Sequence, residues 1–252
     1  MSNTHTVLVT GASSGIGAAV AQAFGALGWA VAMGARRVDR LQEVARTVSA
    51  AGGRPFAHHL DVTKADSIDT FFAATEAALG PVEVVVSNAG IGIPGALHEL
   101  SVADIETELA TNLLGPMLVA RRALPSMLAR RAGTLIFVSS MNAVQPRPLQ
   151  IGYTAAKAGV EGVAHTLRLD LEGTGVRSLI VRPGPTRSEF GFGWAPGMLV
   201  RVIESWQRWG LMRHNDMLDP EHIAAAVVSA ATAPAAAHLD VIQLNPTGPI
   251  YG

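Results

Sequence analysis

Apolar residues recur along this chain in short runs that alternate with longer periodic stretches. The short runs are rich in β-branched residues and predict seven strands, at positions 6–10, 29–33, 56–60, 82–86, 134–138, 176–181 and 239–244. The longer stretches have helical spacing and predict helices. The first predicted helix ends at residue 27, and the others lie at 38–51, 67–79, 104–130, 153–171 and 220–231. Runs such as 82–86 are apolar on both faces, which is typical of parallel strands covered by helices on both sides.

Strand–helix alternation throughout the chain predicts right-handed crossovers and a doubly wound sheet. We therefore predict the α/β class: one Rossmann-type domain over residues 1–252, with a parallel sheet of about seven strands and helices on both faces. Gly28 lies where a helix is expected to end. Pro116 and Pro125 are possible breaks or kinks in the stretch 104–130, which is therefore one helix or two.

Composition narrows the class of partner. The chain of 252 residues is 49% hydrophobic, so it can bury a large core. Its net charge of -1 gives no support for nucleic acid or an anionic membrane as a partner. The absence of cysteine excludes disulfides, a thiol nucleophile and a thiolate metal site. His58, His59 and His214 do not have the spacing of metal ligands, and we predict no metal.

The N-terminal residues give no sign of targeting. Residues 1–5 lack the basic and apolar regions of a signal peptide. The longest weakly polar stretch, 18–35, is interrupted by glycines and fits a helix, a turn and a strand better than a membrane span. We expect a soluble, cytoplasmic protein that has no membrane partner.

A glycine-rich turn follows the first predicted strand and opens the first helix. Glycines let the backbone approach a diphosphate, and a helix N-terminus offers free N–H groups and the positive end of its dipole. The spacing is G-x-x-x-G-x-G rather than G-x-G-x-x-G. The turn predicts a dinucleotide-phosphate site formed by Gly11, Ser13, Ser14, Gly15, Ile16 and Gly17.

Tyr153 and Lys157 lie four residues apart and share one face of a predicted helix. A lysine ammonium beside a phenol favours the phenolate, and it makes tyrosine usable as a base near neutral pH. The pair alone also occurs on solvated helices, so its interpretation depends on the rest of the chain.

Residues 10–17 resemble the Thr-Gly-x-x-x-Gly-x-Gly motif of the short-chain dehydrogenase/reductase family, in its branch of about 250 residues. Further matches follow in the family's order across nearly the whole chain: Asp61-Val62, Asn88-Ala89-Gly90, Asn112, Ser140, Tyr153 with Lys157, and Pro183-Gly184. Each match is weak alone, but the set with its spacing is specific.

The resemblance implies a mechanism of hydride transfer between a nicotinamide and a carbonyl or alcohol. It implies that Tyr153 is the general acid or base and that Lys157 favours the tyrosinate and binds the nicotinamide ribose. Ser140 then donates a hydrogen bond to the substrate oxygen, and Asn112 holds a water that links Lys157 to solvent. These four residues are the predicted catalytic set.

The resemblance also assigns cofactor contacts beyond the glycine turn. The pair Asp61-Val62 resembles the residues that hold the adenine ring, and Asn88-Ala89-Gly90 resembles the turn after the fourth strand. Pro183-Gly184 lies where the family has a turn beside the nicotinamide. Thr186 or Ser188 would contact the carboxamide, and the sequence does not decide between them.

Residues at the end of the second strand predict the choice of cofactor. NAD sites of this architecture place an acid there, whereas Arg36 and Arg37 stand in this chain. A guanidinium binds a 2′-phosphate in a bidentate manner, which favours NADP(H), with Ser13 and Ser14 as further donors. The alternative is that both arginines are solvated residues at a helix start that pair with Asp39 or Glu43.

Simpler roles remain open for several of these residues. Ser140 could form a turn at a strand end, and Asn112 could be an ordinary hydrogen-bonding residue within a helix. Asn88 is better explained as a brace between strands than as a catalytic group. Asp61 could cap the helix that follows residue 63.

The resemblance implies that the segment after Pro183-Gly184, residues 185–218 here, is a mobile substrate lid, as active-site loops often are. The segment contains most of the aromatic residues of the chain: Phe190, Phe192, Trp194, Trp206 and Trp209. They indicate a sizeable apolar substrate or, equally, packing of the lid on the body or on another subunit. The opposite wall is expected to include Ile93, Pro94, Met141 and Leu149.

The sequence therefore favours an NADP(H)-dependent oxidoreductase that acts on a small carbonyl or alcohol substrate. One alternative is a non-catalytic NADP(H)-binding redox sensor or scaffold, and another is an epimerase or dehydratase on the same fold. By analogy with the family, the helices at 104–130 and 153–171 are expected to pair in a homodimer or homotetramer.

Overall fold

A computed structural model describes residues 5–212, 214–234 and 236–248. Its centre is a seven-stranded sheet in which all paired strands are parallel, in the order β3-β2-β1-β4-β5-β6-β7. The strands β1 to β7 are Thr6–Thr10, Ala30–Ala35, Arg54–His59, Val84–Ser87, Gly133–Val138, Val176–Pro183 and Val241–Leu244. The predicted α/β fold with a doubly wound parallel sheet is confirmed, and boundaries differ by a few residues.

Eight α-helices lie within the described residues. Helices α1 to α8 are Gly15–Ala26, Val38–Ala50, Ala65–Leu79, Val102–Leu109, Gly115–Arg130, Ile151–Asp170, Pro196–Arg208 and Pro220–Thr232. Side chains of α1, α2 and α8 form one hydrophobic cluster with the sheet, and those of α3, α5 and α6 form the other. β1 is buried along its whole length because both of its faces are covered.

The order of the strands reverses direction between β1 and β4, because the chain first builds the sheet outward through β2 and β3. At such a switch point the loops after neighbouring strands turn to opposite faces, which leaves a crevice outside the carboxyl ends of the strands. Most of the predicted site residues lie at or directly after the ends of β1 to β6, whereas Asn112 lies between α4 and α5, and Tyr153 and Lys157 lie in α6. The topology therefore places their segments along one edge of the sheet.

The predicted helix at 104–130 forms two α-helices joined by a π-helical turn, Ala110–Leu114. A π-turn inserts one extra residue into the helical spacing and is often found at functional sites. Pro116 lies in the first turn of α5, where a missing N–H is tolerated, and Pro125 lies inside α5 without ending it. The sequence pattern indicated possible breaks at these prolines and did not predict the π-turn.

The segment 185–218 leaves the body after β6 and returns before α8. Its two ends are joined by backbone hydrogen bonds, from Arg187 N to Leu218 O at 2.8 Å and from Leu218 N to Pro185 O at 2.8 Å. Between these ends it contains α7, an amphipathic helix that the sequence analysis did not assign. Within the described part of the chain, no helix is both long and apolar enough to span a membrane.

Candidate active site

A cleft of about 1020 Å³ runs along the carboxyl edge of the sheet and under the segment 185–218. Nearly all the predicted site residues line it, from the glycine turn to Thr186. Gly17 and Asn112 are the exceptions, and both lie directly behind its wall. The structure therefore brings residues from six strand ends into one site, as their positions in the sequence predict.

The glycine turn takes the shape that its residues predict. Gly11 has φ 68°, a left-handed conformation that favours glycine. Ser14 is the N-cap of α1 but makes no side-chain cap hydrogen bond, so the first N–H groups of the helix are available to a ligand. A Cβ at Gly17 would lie 2.6 Å from Asn88 Nδ2, so only glycine lets α1 pack this close to the turn.

Asn88 braces the glycine turn. Its Nδ2 donates to Thr10 O at 3.1 Å and to Gly11 O at 3.3 Å. The backbone N–H groups of Asn88 and Ala89 both donate to Thr10 Oγ1 at 3.0 Å. These four contacts hold the end of β4 against the end of β1, which is the bracing role expected for Asn88.

Arg37 is held at the cofactor end of the cleft by three side chains. Its guanidinium donates to Ser13 Oγ at 3.1 Å and to Ser14 Oγ at 2.7 Å. It also pairs with Glu189 of the segment 185–218, with Nη1 and Oε2 2.8 Å apart. Glu43 pairs instead with Arg40, so the acid that the sequence analysis proposed as a partner is not the one used.

Asp61 lies in the turn after β3. Its Oδ1 accepts hydrogen bonds from the Thr63 N–H at 3.0 Å and from Thr63 Oγ1 at 2.7 Å. Burial alone would raise the pKa of this carboxyl, but the two Thr63 hydrogen bonds and the nearby charge of Arg36 hold it below its usual value. The carboxylate thus shapes the turn that presents Val62 to the cleft. It does not act as the N-cap of α3, which is Lys64.

Ser140, Tyr153 and Lys157 meet on one wall of the cleft. Ser140 lies two residues after the end of β5, and its Oγ accepts a hydrogen bond from the Asn142 N–H at 3.2 Å. The Ser140 hydroxyl lowers the pKa of Tyr153, against the larger effect of burial. Lys157 lies one turn further along α6, and its Nζ is 5.6 Å from the centroid of the Tyr153 ring. The ammonium donates to Val138 O at 2.8 Å.

The electrostatics of this pair differ from the sequence-based expectation. Burial raises the pKa of Tyr153 to about 12, although the hydrogen bond with Ser140 acts in the opposite direction. Burial also lowers the pKa of Lys157 to about 8, while the charge of Glu161 opposes this shift. In this structure desolvation therefore outweighs any lowering of the Tyr153 pKa by Lys157, and the phenol is held neutral.

Asn112 acts on the loop that forms the floor of the cleft. Its Oδ1 accepts from the Ile91 N–H at 2.9 Å, and its Nδ2 donates to Ile91 O at 2.8 Å. Both ends of the amide are therefore used by the backbone after β4. In α-helical spacing the carbonyl of Asn112 would accept from residue 116, but Pro116 has no N–H.

Glu108 is a buried acid behind Tyr153 that the sequence analysis missed. Its Oε1 accepts from the Ile93 N–H at 3.0 Å, whereas Oε2 has no hydrogen-bond partner within the described residues. Burial raises the pKa of this carboxyl, against the opposing effect of the nearby backbone N–H groups of Ile93 and Tyr153. The only sequence signal was an acid inside a helix, and this pattern is common on solvated surfaces.

Aromatic residues of the segment 185–218 cover the catalytic wall. The ring of Phe190 lies 5.0 Å from that of Tyr153 and 5.7 Å from that of Trp194, and it packs against Gly92. Trp194 Nε1 donates to Gly92 O at 2.8 Å, which fixes the segment to the loop after β4. Ile93, Pro94 and Met141 also line the cleft as expected, whereas Leu149 does not.

Arg147 lines the same cleft and was not singled out from the sequence. Its guanidinium lies 4.4 Å from the centroid of the Trp206 ring in α7. Among the residues that the structure describes, no group of three or more His, Asp or Glu side chains could hold a metal ion.

Comparison with known proteins identifies the family. The family described as short chain dehydrogenase matches residues 5–194, and the chain belongs to it. A short chain dehydrogenase of Pseudocercospora fijiensis is 40% identical over 188 residues, which cover 74% of this chain and 61% of that protein. A glycine betaine reductase of Emericella nidulans is 32% identical over 95% of this chain but only 18% of its own length.

Other relatives match along their full length. Sulfoacetaldehyde reductase 2 of Chromohalobacter salexigens is 32% identical, over 96% of this chain and 94% of that one. An alcohol dehydrogenase from Thermococcus sibiricus, complexed with 5-hydroxy-NADP, has a TM-score of 0.84 and 31% identity and covers 99% of this chain and 100% of its own. A serine dehydrogenase complexed with NADP+ has a TM-score of 0.86 and 30% identity, and the match covers 98% of this chain and 96% of that one. The protein is an oxidoreductase of this family.

Proposed function

We propose that this protein is an NADP(H)-dependent oxidoreductase that transfers a hydride between the nicotinamide and a carbonyl or secondary alcohol substrate. The observation that carries the proposal is the placement of Ser140, Tyr153 and Lys157 on one wall of the cleft whose other end holds the glycine turn and Arg37. A general acid and a dinucleotide site in one cleft are what this reaction requires.

The cofactor fits the residues of the cleft. The uncapped N-terminus of α1 would hold the diphosphate, because its first N–H groups have no side-chain partner. Arg37, with Ser13 and Ser14, would bind the 2′-phosphate, and Asp61 and Val62 would flank the adenine. The NADP in two structures of similar proteins supports this choice over NAD.

Further residues would contact the nicotinamide end. Ala89 and Gly90, Pro183 and Gly184, and Thr186 line the part of the cleft near Lys157. The Thr186 hydroxyl donates to Gly184 O at 2.9 Å, which fixes its orientation beside the Pro-Gly turn. This contact favours Thr186 over Ser188 as the carboxamide partner.

The cofactor supplies the hydride. Tyr153 donates its phenol proton to the substrate oxygen during reduction and accepts it back during oxidation. Ser140 Oγ–H stabilises the negative charge that develops on that oxygen. The ammonium of Lys157 stabilises the tyrosinate that forms, and the carbonyl of Asn112 is a candidate acceptor for a water that relays protons to Lys157.

The segment 185–218 is proposed to act as the lid of a single catalytic domain. Its joined ends form the base, and Phe190 and Trp194 bring it onto the catalytic wall. For the assembly we propose a homodimer or homotetramer in which α4, α5 and α6 pair. Exposed apolar side chains on these helices, including Met117, Leu128 and Leu169, support this arrangement.

The test is a fluorescence titration with NADPH and NADH, followed by a panel of carbonyl compounds monitored by loss of reduced-nicotinamide absorbance. We expect tighter binding of NADPH and turnover of part of the panel. In Tyr153→Phe the turnover should fall by roughly 10²–10⁴-fold because the general acid is lost. The NADPH Kd should remain near the wild-type value.

Two outcomes would contradict the proposal. Full turnover by Tyr153→Phe would remove the tyrosine from the mechanism. Binding of NADPH without turnover of a broad panel would favour the alternative of a non-catalytic sensor or scaffold. Preference for NADH would overturn the proposed binding of the 2′-phosphate by Arg36 and Arg37, but it would still agree with an oxidoreductase.

A further inference from the structure

Arg147 is a half-buried cation at the substrate end of the cleft. It belongs to the loop between β5 and α6 that also carries Ser140, and it lines the cleft together with Met141 and Tyr153. Arg36 and Arg37, the arginines assigned to the cofactor, follow β2. Arg147 is therefore on the opposite side of the catalytic wall from the phosphate site.

The position of Arg147 is set by Trp206. The guanidinium carbon lies 4.4 Å from the centroid of the Trp206 ring, in the arrangement of a cation–π contact. The indole is itself fixed, because Trp206 Nε1 donates to Pro148 O at 3.1 Å. One face of the guanidinium is thus covered by the indole, and Arg147 lines the cleft. A guanidinium presents its N–H donors in its own plane, where they suit the two oxygens of a planar anion.

Among the residues that the structure describes, no carboxylate forms an ion pair with Arg147. Burial lowers the pKa of its guanidinium. Other arginines around the lid have acids as partners: Arg37 pairs with Glu189, Arg187 with Asp219 and Arg201 with Glu99. A cation that is partly removed from water without a counter-ion is unfavourable, and a ligand that supplies the anion relieves this cost.

The segment 185–218 also contributes apolar side chains to the cleft. Met198, Leu199, Trp206 and Met217 line it together with Arg147, and Trp206 contacts the guanidinium. A substrate carbonyl must lie beside Ser140 and Tyr153 for hydride and proton transfer. A short carbon chain from there would cross apolar side chains before reaching the guanidinium.

We propose that the substrate carries an anionic oxygen group, such as a carboxylate, sulfonate or phosphate, that Arg147 binds while its carbonyl lies at Ser140 and Tyr153. This inference rests on the proposed function and specifies its substrate class. It also gives the lid a role in recognition, because Trp206 of α7 positions the guanidinium.

The test uses aldehydes with a terminal carboxylate at increasing chain length, each paired with its methyl ester, and NADPH as the reductant. We expect one chain length at which kcat/KM for the acid exceeds that for the ester by about 10- to 100-fold, the effect of a charge-assisted hydrogen bond. The same length in sulfonate and phosphate form identifies which anion is preferred.

Variants distinguish binding of the substrate anion by Arg147 from packing of Arg147 against the lid. Arg147→Met keeps an apolar stem and should remove the preference, because KM for the acid rises while kcat/KM for the ester falls much less. Arg147→Lys keeps the charge without the planar fork and should retain part of the preference. Arg201→Met is the matched control, since Arg201 is an exposed arginine of α7 that pairs with Glu99 and does not line the cleft.

A second readout does not depend on turnover. Calorimetry with NADP+-loaded protein compares saturated carboxylic acids with their primary amides, for wild type and Arg147→Met. Binding of the acid to wild type but not to the variant supports the inference. Equal kcat/KM for acids and esters, together with equal binding of acids and amides, overturns it and leaves Arg147 as a lid contact. Loss of turnover for every aldehyde would instead count against the proposed function.

Discussion

At the scale of single residues, burial favours the neutral forms of three ionisable groups of the site. Lys157 and Glu108 are buried and Tyr153 is half-buried, and in each case burial is the largest influence on the pKa. Their types and positions were partly visible in the sequence. Their protonation was not, because desolvation depends on what the fold packs around them.

The pKa of Lys157 predicts an alkaline limit on activity. Its pKa of about 8 means that the ammonium loses its proton as pH rises through that value in the free enzyme. The pKa of Tyr153, about 12, leaves the phenol protonated throughout this range. For carbonyl reduction we expect kcat/KM for NADPH to fall above about pH 8, because an uncharged amine cannot stabilise the tyrosinate.

The matched variant is Lys157→Arg, which stays charged across the measurable range. If this variant keeps activity, its kcat/KM for NADPH should not fall near pH 8. The same fall near pH 8 in this variant would assign the ionisation to another group.

Glu108 predicts a contrast between two substitutions. Glu108→Ala removes the acceptor of the Ile93 N–H and leaves a cavity, so we expect the free energy of unfolding to fall by about 2–4 kcal/mol. Glu108→Gln keeps an acceptor oxygen and resembles the neutral carboxyl, so its loss should be below about 1.5 kcal/mol. Denaturant unfolding measures both, and equal losses would show that the carboxylate charge is required.

At the scale of elements, two short irregular features position the chemistry. The π-turn between α4 and α5 presents Asn112 to the backbone of Ile91, which holds the loop after β4 under the cleft. The glycine turn lets α1 begin directly against the end of β1. Propensity predicted the helices on either side of residue 112, but the wide turn depends on contacts with a loop distant in sequence.

The close packing of α1 predicts a strong effect of one methyl group. In Gly17→Ala the new Cβ would meet Asn88 Nδ2 at 2.6 Å and the backbone of Gly11, so α1 must move away from the turn. We expect NADPH affinity to fall by at least about tenfold, because the helix N–H groups no longer converge on the diphosphate. Fluorescence titration measures the change.

Gly162→Ala is the control for this substitution. Gly162 lies on α6, and a Cβ there would meet nothing within 4 Å. The Gly162→Ala variant should bind the cofactor normally. Its free energy of unfolding should rise by about 0.5–1 kcal/mol, because alanine favours the helix more than glycine does. Normal NADPH binding by Gly17→Ala would contradict the proposed role of the turn.

At the scale of the whole molecule, the lid and the cofactor end of the cleft are linked by one ion pair. Glu189 of the lid contacts Arg37, which stands at the end of β2. The Arg37 side chain holds the pKa of the Glu189 carboxyl below its usual value, so this acid is ionised near neutral pH. A 2′-phosphate bound at Arg37, as proposed, would therefore compete with the Glu189 carboxylate of the segment 185–218.

This competition predicts a selective gain of affinity. In Glu189→Gln the NADPH Kd should fall by about two- to five-fold, the range typical of an exposed ion pair, while the NADH Kd stays constant. Arg37→Met should weaken NADPH and leave NADH nearly unaffected. Equal changes for both cofactors in either variant would place the 2′-phosphate elsewhere.

The sequence by itself determined the order of elements, the parallel sheet and the positions of Ser140, Tyr153 and Lys157. The elements and the Tyr–Lys pair follow from local spacing: apolar runs with periods of two and 3.6 residues, glycines at turns, and a Tyr and a Lys one helical turn apart. Ser140 was identified through the resemblance to the family, by its place before Tyr153 in the sequence. Such signals depend on neighbours along the chain, so they can be read without knowledge of the fold.

Only the tertiary structure decided the partners and electrostatics of the site. The pairing of Arg37 with Glu189, the burial of Glu108 and the stacking of Arg147 on Trp206 each join residues that lie far apart in the sequence or on different elements. Their ionisation and their exposure to a ligand depend on the packing of the lid and helices around them. Burial and long-range contacts of this kind have no period or motif in the sequence.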